Sequence, residues 1–321
     1  MERLKSIFEK YLLEQIPDKE PASLYTAMRY VLQNGGKRIR PLLVLLSAKS
    51  FGSPVEKALP AASSIEIFHN FTLIHDDIMD HSDVRRGKAT VHEKWDENLA
   101  ILSGDTMLVW AYKMLENYNP EIFKKLNVLL NQTAIEICEG QQMDMDFEHR
   151  NDVPMEEYLR MIRLKTAVLL GTALQFGGIV AGAVDKNLEA FKDYGEKIGL
   201  AFQIQDDYLD TFGDHQKFGK KIGRDIIDRK KTFLYITALQ KAREEDRKKL
   251  IDLYQNMDID ETRLVPMVIE IFKKYRVDQI SLKKIQDFTE QALSALDQTG
   301  FSPQEKDFWK QFAYNLMNRE K

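Results

Sequence analysis

Two groups of carboxylates stand out in this chain of 321 residues. Asp76, Asp77 and Asp80 lie in LIHDDIMDHSDVRRG, residues 73–87, and Asp206, Asp207 and Asp210 repeat the pattern in FQIQDDYLDTFGD, residues 202–214. On a helix the first and third acids of each triplet stack on one face, about 6 Å apart along the axis, and the middle acid turns about 100° away. One D-D-x-x-D alone describes many solvated helix ends. Two copies, each following an apolar stretch (Phe71-Thr-Leu-Ile and Leu200-Ala-Phe-Gln-Ile), describe something else. Six carboxylates facing one cavity are intolerable without cations. Hard oxygen donors favour Mg2+, which keeps waters and bridges carboxylates to phosphates. The chemistry expected is a cluster of Mg2+ ions holding a diphosphate.

Basic residues fall where such an anion needs them. Gly35-Gly36-Lys37-Arg38-Ile39-Arg40-Pro41 is a cation-dense loop entering a helix, and its glycines allow backbone close to a ligand. Lys37 and Arg40 are candidates to clamp phosphate oxygens. Arg85 and Arg86 follow the first triplet directly, and Lys165-Thr166, Lys220 and Lys230 add cations from other segments. The two arginines need not neutralise the acids, since each is expected to face a different anion. Glu66, His69 and His75 precede Asp76 on one helical run, with His69 seven residues away and so on the same face. Gln141 and Asp144 in GQQMDMD are candidates to support the site from behind, or are ordinary helix positions.

The elements that must position these residues read as helices. A run over 21–33 opens on Pro21 and stops at Asn34-Gly35-Gly36. Helical periodicity continues over 41–51, 61–80, 98–117, 121–148, 155–182, 187–212, 230–241, 244–256, 263–274, 279–297 and 303–318. No alternating strand runs and no Gly-rich phosphate loop after a strand interrupt it. The expected fold is all-α, a single large helical bundle, with residues 1–321 as one domain. Charge runs after residue 242 read as solvated helix faces.

Composition excludes several classes. A formal net charge of −4 gives no reason to expect nucleic acid or an anionic membrane as partner. The charged N-terminus does not read as a signal peptide. The apolar stretch 167–184 carries Thr172, Gln175 and four glycines, and reads as a buried helix approached closely by a neighbour rather than as a membrane insertion. The one cysteine, Cys138, excludes an internal disulfide, suits a reducing cytoplasmic location, and reads as a buried thiol.

With these motifs in order, residues 30–235 resemble the trans-isoprenyl diphosphate synthases of the polyprenyl synthetase family. GGKRIRP resembles the family's isopentenyl diphosphate loop, and DDIMD and DDYLDTFGD its two aspartate-rich motifs. RRG, LKTA, FGKKIGRD and KKT match in position. The resemblance implies helices around a deep central cavity, a homodimer, and three Mg2+ ions. It implies that Lys37, Arg40, His69 and Arg86 hold isopentenyl diphosphate, and that Arg85, Lys165, Thr166, Gln203, Lys220 and Lys230 hold the allylic diphosphate. Asp76, Asp80 and Asp206 would ligate Mg2+ most directly, with Asp77 and Asp210 placed to bind ions, waters or basic partners. The catalytic set it implies is Asp76, Asp77, Asp80, Arg85, Lys165, Asp206, Asp207 and Lys220. Phe71 and Thr72 would form the floor that limits product length, C20 in preference to C15. A class I terpene cyclase shares a D-D-x-x-D but needs a different second motif. A non-catalytic partner subunit would have lost one of the two.

Overall fold

Helix follows helix because apolar residues recur at helical spacing along nearly the whole chain. The computed structural model describes residues 1–213, 223–256 and 258–317. In chain order the helices are α1 (Glu2–Glu14), α2 (Ala22–Gln33), α3 (Ile39–Ser50), α4 (Leu59–Met79), α5 (Val91–Lys94), α6 (Glu97–Leu115), α7 (Pro120–Glu148), α8 (Met155–Ile162), α9 (Val168–Val180) and α10 (Asp185–Phe212). They continue as α11 (Arg224–Ile227), α12 (Phe233–Lys241), α13 (Glu244–Gln255), α14 (Glu261–Lys274), α15 (Val277–Asp297) and α16 (Pro303–Met317). The sequence runs locate the long helices well, with three differences besides the single-turn α5 and α11, which no run covers. The charged N-terminus forms α1, whose polar residues face outward while Phe8 and Leu12 are buried. The run over 155–182 is broken by a π-helical turn at Arg163–Ala167. A two-stranded antiparallel hairpin, β1 (Val84–Arg85) and β2 (Lys88–Ala89), follows α4. Its strands are too short to show an alternating pattern.

The described residues group into two compact units. The first, Met1–Gln132 with Thr172–Glu189, is built on α4, which buries most of its length and packs chiefly along α6. Gly104 of α6 makes this closeness possible, since a Cβ there would run into the His75 ring. The end of α9 lies against α3 just as closely. A side chain on Gly177 would strike the Val44 carbonyl, and Ser47 Oγ donates to the Leu174 carbonyl at 2.6 Å. The apolar stretch 167–184 is thus a buried helix with small residues at a close approach, as its composition implies. No helix among the described residues is long and apolar enough to cross a membrane.

The second unit, Thr133–Gly171 with Ala190–Lys321, surrounds the latter part of α10. Ile204, Tyr158, Phe233, Tyr235 and Leu264 belong to its core. Phe191 and Tyr194 each meet Trp309 edge-to-face, and Tyr194 donates to the Trp309 carbonyl at 2.7 Å, which docks α16 on α10. Cys138 corrects an expectation: it is exposed on α7, not buried. The α7 face bearing Val128 and Ile135, seven residues apart, is turned outward, and Cys138 lies one turn beyond Ile135.

Candidate active site

In the first unit the loop between α2 and α3 is shaped by backbone conformations only certain residues adopt. Gly35 and Gly36 have φ of 69° and 121°, and Arg38 follows at 50°. A Cβ on Gly36 would also sit 2.9 Å from the Arg86 guanidinium carbon and push that side chain aside. Arg86 in turn donates to the Gly35 carbonyl at 2.5 Å. Arg86 and Gly87 both take positive φ, 54° and 76°, the two central positions of a tight hairpin turn. That turn explains RRG: it places consecutive arginines on different partners.

Arg40 Nη1 lies 3.3 Å from His69 Nε2. Burial, and then the cations Arg40, Arg86, Arg85 and Arg38, push the His69 imidazole well below its ordinary value. At neutral pH it is uncharged, and its lone pair accepts from the guanidinium. Lys37 is exposed on the same loop. The structure therefore brings Lys37, Arg40, His69 and Arg86 into one region of the first unit.

The first acidic triplet occupies the last turn of α4, where the helix dipole is negative and disfavours acids unless a cation is present. Asp77 is buried, and Arg85 Nε donates to its Oδ1 at 2.5 Å while Nη2 reaches Asp76 Oδ2 at 3.5 Å. Burial raises the Asp77 carboxyl despite Arg85. Arg85 thus pairs with two acids of the first triplet, because the hairpin folds it back over α4. Asp80 is exposed at the helix end. Phe71 packs its ring against His75 at 4.9 Å and Phe68 at 5.6 Å, and Thr72 turns its hydroxyl back to the His69 carbonyl at 2.8 Å.

In the second unit the π turn carries Lys165 and Thr166. Inserting an extra residue into a helix needs room, and glycines provide it on two sides. A Cβ on Gly140 of α7 would meet the backbone of Leu164 and Lys165, and one on Gly199 of α10 would lie 2.6 Å from Ala167. Lys165 Nζ pairs with Asp144 at 2.6 Å, so Asp144 supports this site directly. Thr166 Oγ1 donates to Gln203 at 3.1 Å, and Gln203 donates to Asp207 Oδ1 at 3.1 Å. Asp207 is buried and also accepts from the Tyr158 hydroxyl and, at 3.3 Å, the Phe233 amide. Burial pushes its carboxyl up to about 6 against those donors.

Asp206 is exposed. Asp210 accepts from the amides of Arg224 at 3.2 Å and Asp225 at 3.0 Å. Burial, followed by Asp207 and Asp210, pushes Asp225 up to about 8. Lys230 is exposed, with its amide on the Asp225 carbonyl at 2.9 Å. Lys220 lies outside the described residues. Sequence reasoning missed Tyr158, Asp225 and the inward role of Arg38. Arg38 and Asp225 had visible signals, as the middle cation of GGKRIRP and the last residue of FGKKIGRD.

No group of three or more His, Cys, Asp or Glu poised to hold a metal occurs among the described residues. Mg2+ bound to a diphosphate takes one or two carboxylates and completes its shell with phosphate and water. Asp76 with Asp80, and Asp206 with Asp210, offer such oxygen pairs one helical turn apart near helix C-termini. The donor set fits the ion.

Comparisons with known proteins agree with this chemistry. The sequence profile of the family described as polyprenyl synthetase matches residues 21–272. A short chain isoprenyl diphosphate synthase from Methanothermobacter thermautotrophicus is 41% identical over 276 residues, 86% of this chain and 84% of that protein. A geranylfarnesyl diphosphate synthase from Natronomonas pharaonis is 42% identical over 253 residues, 73% and 74% of the two chains. The crystal structure of a geranylgeranyl pyrophosphate synthase superposes with a TM-score of 0.95 at 43% identity, covering 100% of this chain and 99% of the other. The helical architecture is that of isoprenoid synthases, and the cyclase and non-catalytic alternatives are left without support. The chain belongs to the polyprenyl synthetase family and is a Mg2+-dependent trans-isoprenyl diphosphate synthase.

Proposed function

We propose that the protein condenses isopentenyl diphosphate head-to-tail with dimethylallyl, geranyl or farnesyl diphosphate, releasing diphosphate and an all-trans C20 prenyl diphosphate. Phe71 carries the chain-length reading. Its ring is held by Phe68 and His75 five residues before Asp76, where a bulky side chain would block a growing tail, while Thr72 beside it is small. One helical turn is about 5.4 Å, close to one isoprene unit, so a floor at this depth separates neighbouring product lengths.

Lys37, Arg40, His69 and Arg86 hold isopentenyl diphosphate, and Arg85, Lys165, Thr166, Gln203, Lys220 and Lys230 hold the allylic diphosphate. Asp76 with Asp80, and Asp206 with Asp210, supply oxygen ligands to Mg2+. Bound there, Mg2+ supplies Lewis-acid stabilisation of the leaving group. Lys165 and Arg85 add fixed positive charge as the C1–O bond breaks. The C3=C4 double bond of isopentenyl diphosphate attacks C1, and the departing diphosphate accepts the C2 proton. Apolar walls keep water from the allylic cation. Asp77 and Asp207 complete the set from buried positions, where they orient Arg85 and Gln203. The family profile crosses both units, which supports one synthase domain over 1–321. Exposed Leu102 and Val109 on α6, seven residues apart, support a homodimer, and the single cysteine suits the cytoplasm.

Purified protein incubated with isopentenyl diphosphate, Mg2+ and each allylic starter should give a C20 product on sizing against C15, C20 and C25 standards. Phe71→Ala should lengthen the product, and an unchanged distribution would refute the floor.

A further inference from the structure

Three cations, Lys37, Arg38 and, two residues on, Arg40, enter α3, yet they do not share one environment. Lys37 is exposed and Arg40 meets His69, while Arg38 points inward with a side chain only 3% exposed. Buried to that extent, its guanidinium does not reach a substrate phosphate. It is instead fully engaged by three helices. Nη1 pairs with Glu66 of α4 at 2.5 Å, Nε with Glu9 of α1 at 3.3 Å, and Nη2 donates to the Leu32 carbonyl in the last turn of α2. Glu66 is 2% exposed and is fixed in turn by Asn70 Nδ2, which donates to its carboxylate at 3.1 Å and its carbonyl at 2.7 Å.

Arg38 also takes a left-handed backbone, φ 50° and ψ 35°, which side-chain-bearing residues avoid unless their surroundings enforce it. The enforcement here is the buried ion pair. A left-handed residue at the start of α3 reverses the direction of the chain, so that Lys37 is presented outward while Arg38 goes in.

We propose that Arg38, locked by Glu66, is the positioning residue of the isopentenyl diphosphate site. It sets the backbone reversal that aims Lys37 and Arg40 at a single diphosphate without touching that anion itself. This rests on the assignment of Lys37 and Arg40 to isopentenyl diphosphate, and the test separates the two ideas.

Steady-state kinetics are measured with each substrate varied in turn for Lys37→Ala, Arg38→Gln, Glu66→Gln and the double variant Arg38→Met with Glu66→Gln, alongside denaturant unfolding. Lys37→Ala should raise KM for isopentenyl diphosphate and leave that for the allylic diphosphate alone. If it does not, the site assignment fails. Arg38→Gln and Glu66→Gln should raise KM for isopentenyl diphosphate by about tenfold, with KM for the allylic diphosphate within about twofold of the parent. Arg38→Gln strands the buried Glu66 carboxylate, Glu66→Gln leaves Arg38 only the half-buried Glu9, and the double variant removes both members of the buried pair. It should therefore recover stability while KM for isopentenyl diphosphate stays raised. Recovery of KM together with stability, or an unchanged KM in the single variants when Lys37→Ala shows its effect, would overturn the positioning role. If Arg38→Gln does not fold, Glu66→Gln, which keeps the shape of the side chain, decides the question.

Discussion

Gly140→Ala gives a sharp test of how the second unit holds its π turn. The new Cβ would lie 2.8 Å from the Leu164 carbonyl carbon and 2.9 Å from its Cβ, and closer still to the Lys165 amide nitrogen. Ordinary van der Waals contact begins near 3.4 Å, so α7 and the π turn must separate by roughly 0.5–1 Å. Two of these three obstacles are backbone atoms, which cannot swing aside as a flexible side chain would. Overpacking of this kind costs about 1–3 kcal/mol. Replacing a mid-helix glycine by alanine returns about 1 kcal/mol. The net loss is about 0–2 kcal/mol, small enough for the variant to fold. Function should suffer far more, because the displaced segment carries Lys165 and Thr166. A misplacement of about 1 Å costs on the order of 100-fold in turnover. Urea unfolding and turnover measured on the same preparation should show a modest stability change beside a large activity loss. A variant more stable by about 1 kcal/mol, as helix propensity alone dictates, with parental turnover, would refute the close-approach reasoning.

Other perturbations read different parts of the molecule. His69→Gln tests the uncharged imidazole: its folded value lies well below the unfolded one, so the unfolded chain binds the extra proton in acid. Relative to the variant, the parent should lose stability as pH falls through the ordinary imidazole range, and a constant difference across that range would contradict the assignment. Tyr158→Phe removes a donor to buried Asp207 and should cost about 1.5–3 kcal/mol near pH 8. Because that bond helps hold the Asp207 carboxyl down to about 6, its cost should shrink at pH 5, where the carboxyl is protonated in parent and variant alike. Equal costs at the two pH values, by denaturant unfolding, would count against it. Val109→Glu on the exposed α6 face should convert a dimer to a monomer by light scattering if that face pairs two copies.

The chemistry was more legible in the sequence than the geometry. Acid triplets, the cation loop and RRG are local signals, and the helices declare themselves through periodicity sustained over many residues. The π turn is a one-residue slip where amphipathic α8 passes into α9, and the change of phase leaves no trace in the sequence because α9 is buried on every face. The inward turn of Arg38 depends on Glu9 and Glu66, remote in sequence. Neutralisation of Asp77 by Arg85 depends on a hairpin of two-residue strands. Cys138 was misplaced because a small apolar residue on a long helix gives no sign of which face it occupies when neighbours such as Val128 and Ile135 are themselves apolar and exposed.

The hairpin turn at Arg86-Gly87 has a mechanical meaning. Arg85 grips the acids at the end of α4, and Arg86 grips the carbonyl of the loop ahead of α3. Their Cα atoms are one peptide unit apart, about 3.8 Å. That unit acts as a short splint between two anchorages that are far apart in sequence. Pulling Arg85 off Asp77 shifts Arg86, and with it the glycines that frame Lys37. An anion that recruits one arginine would therefore alter the seat prepared for the other, and that coupling runs equally in both directions.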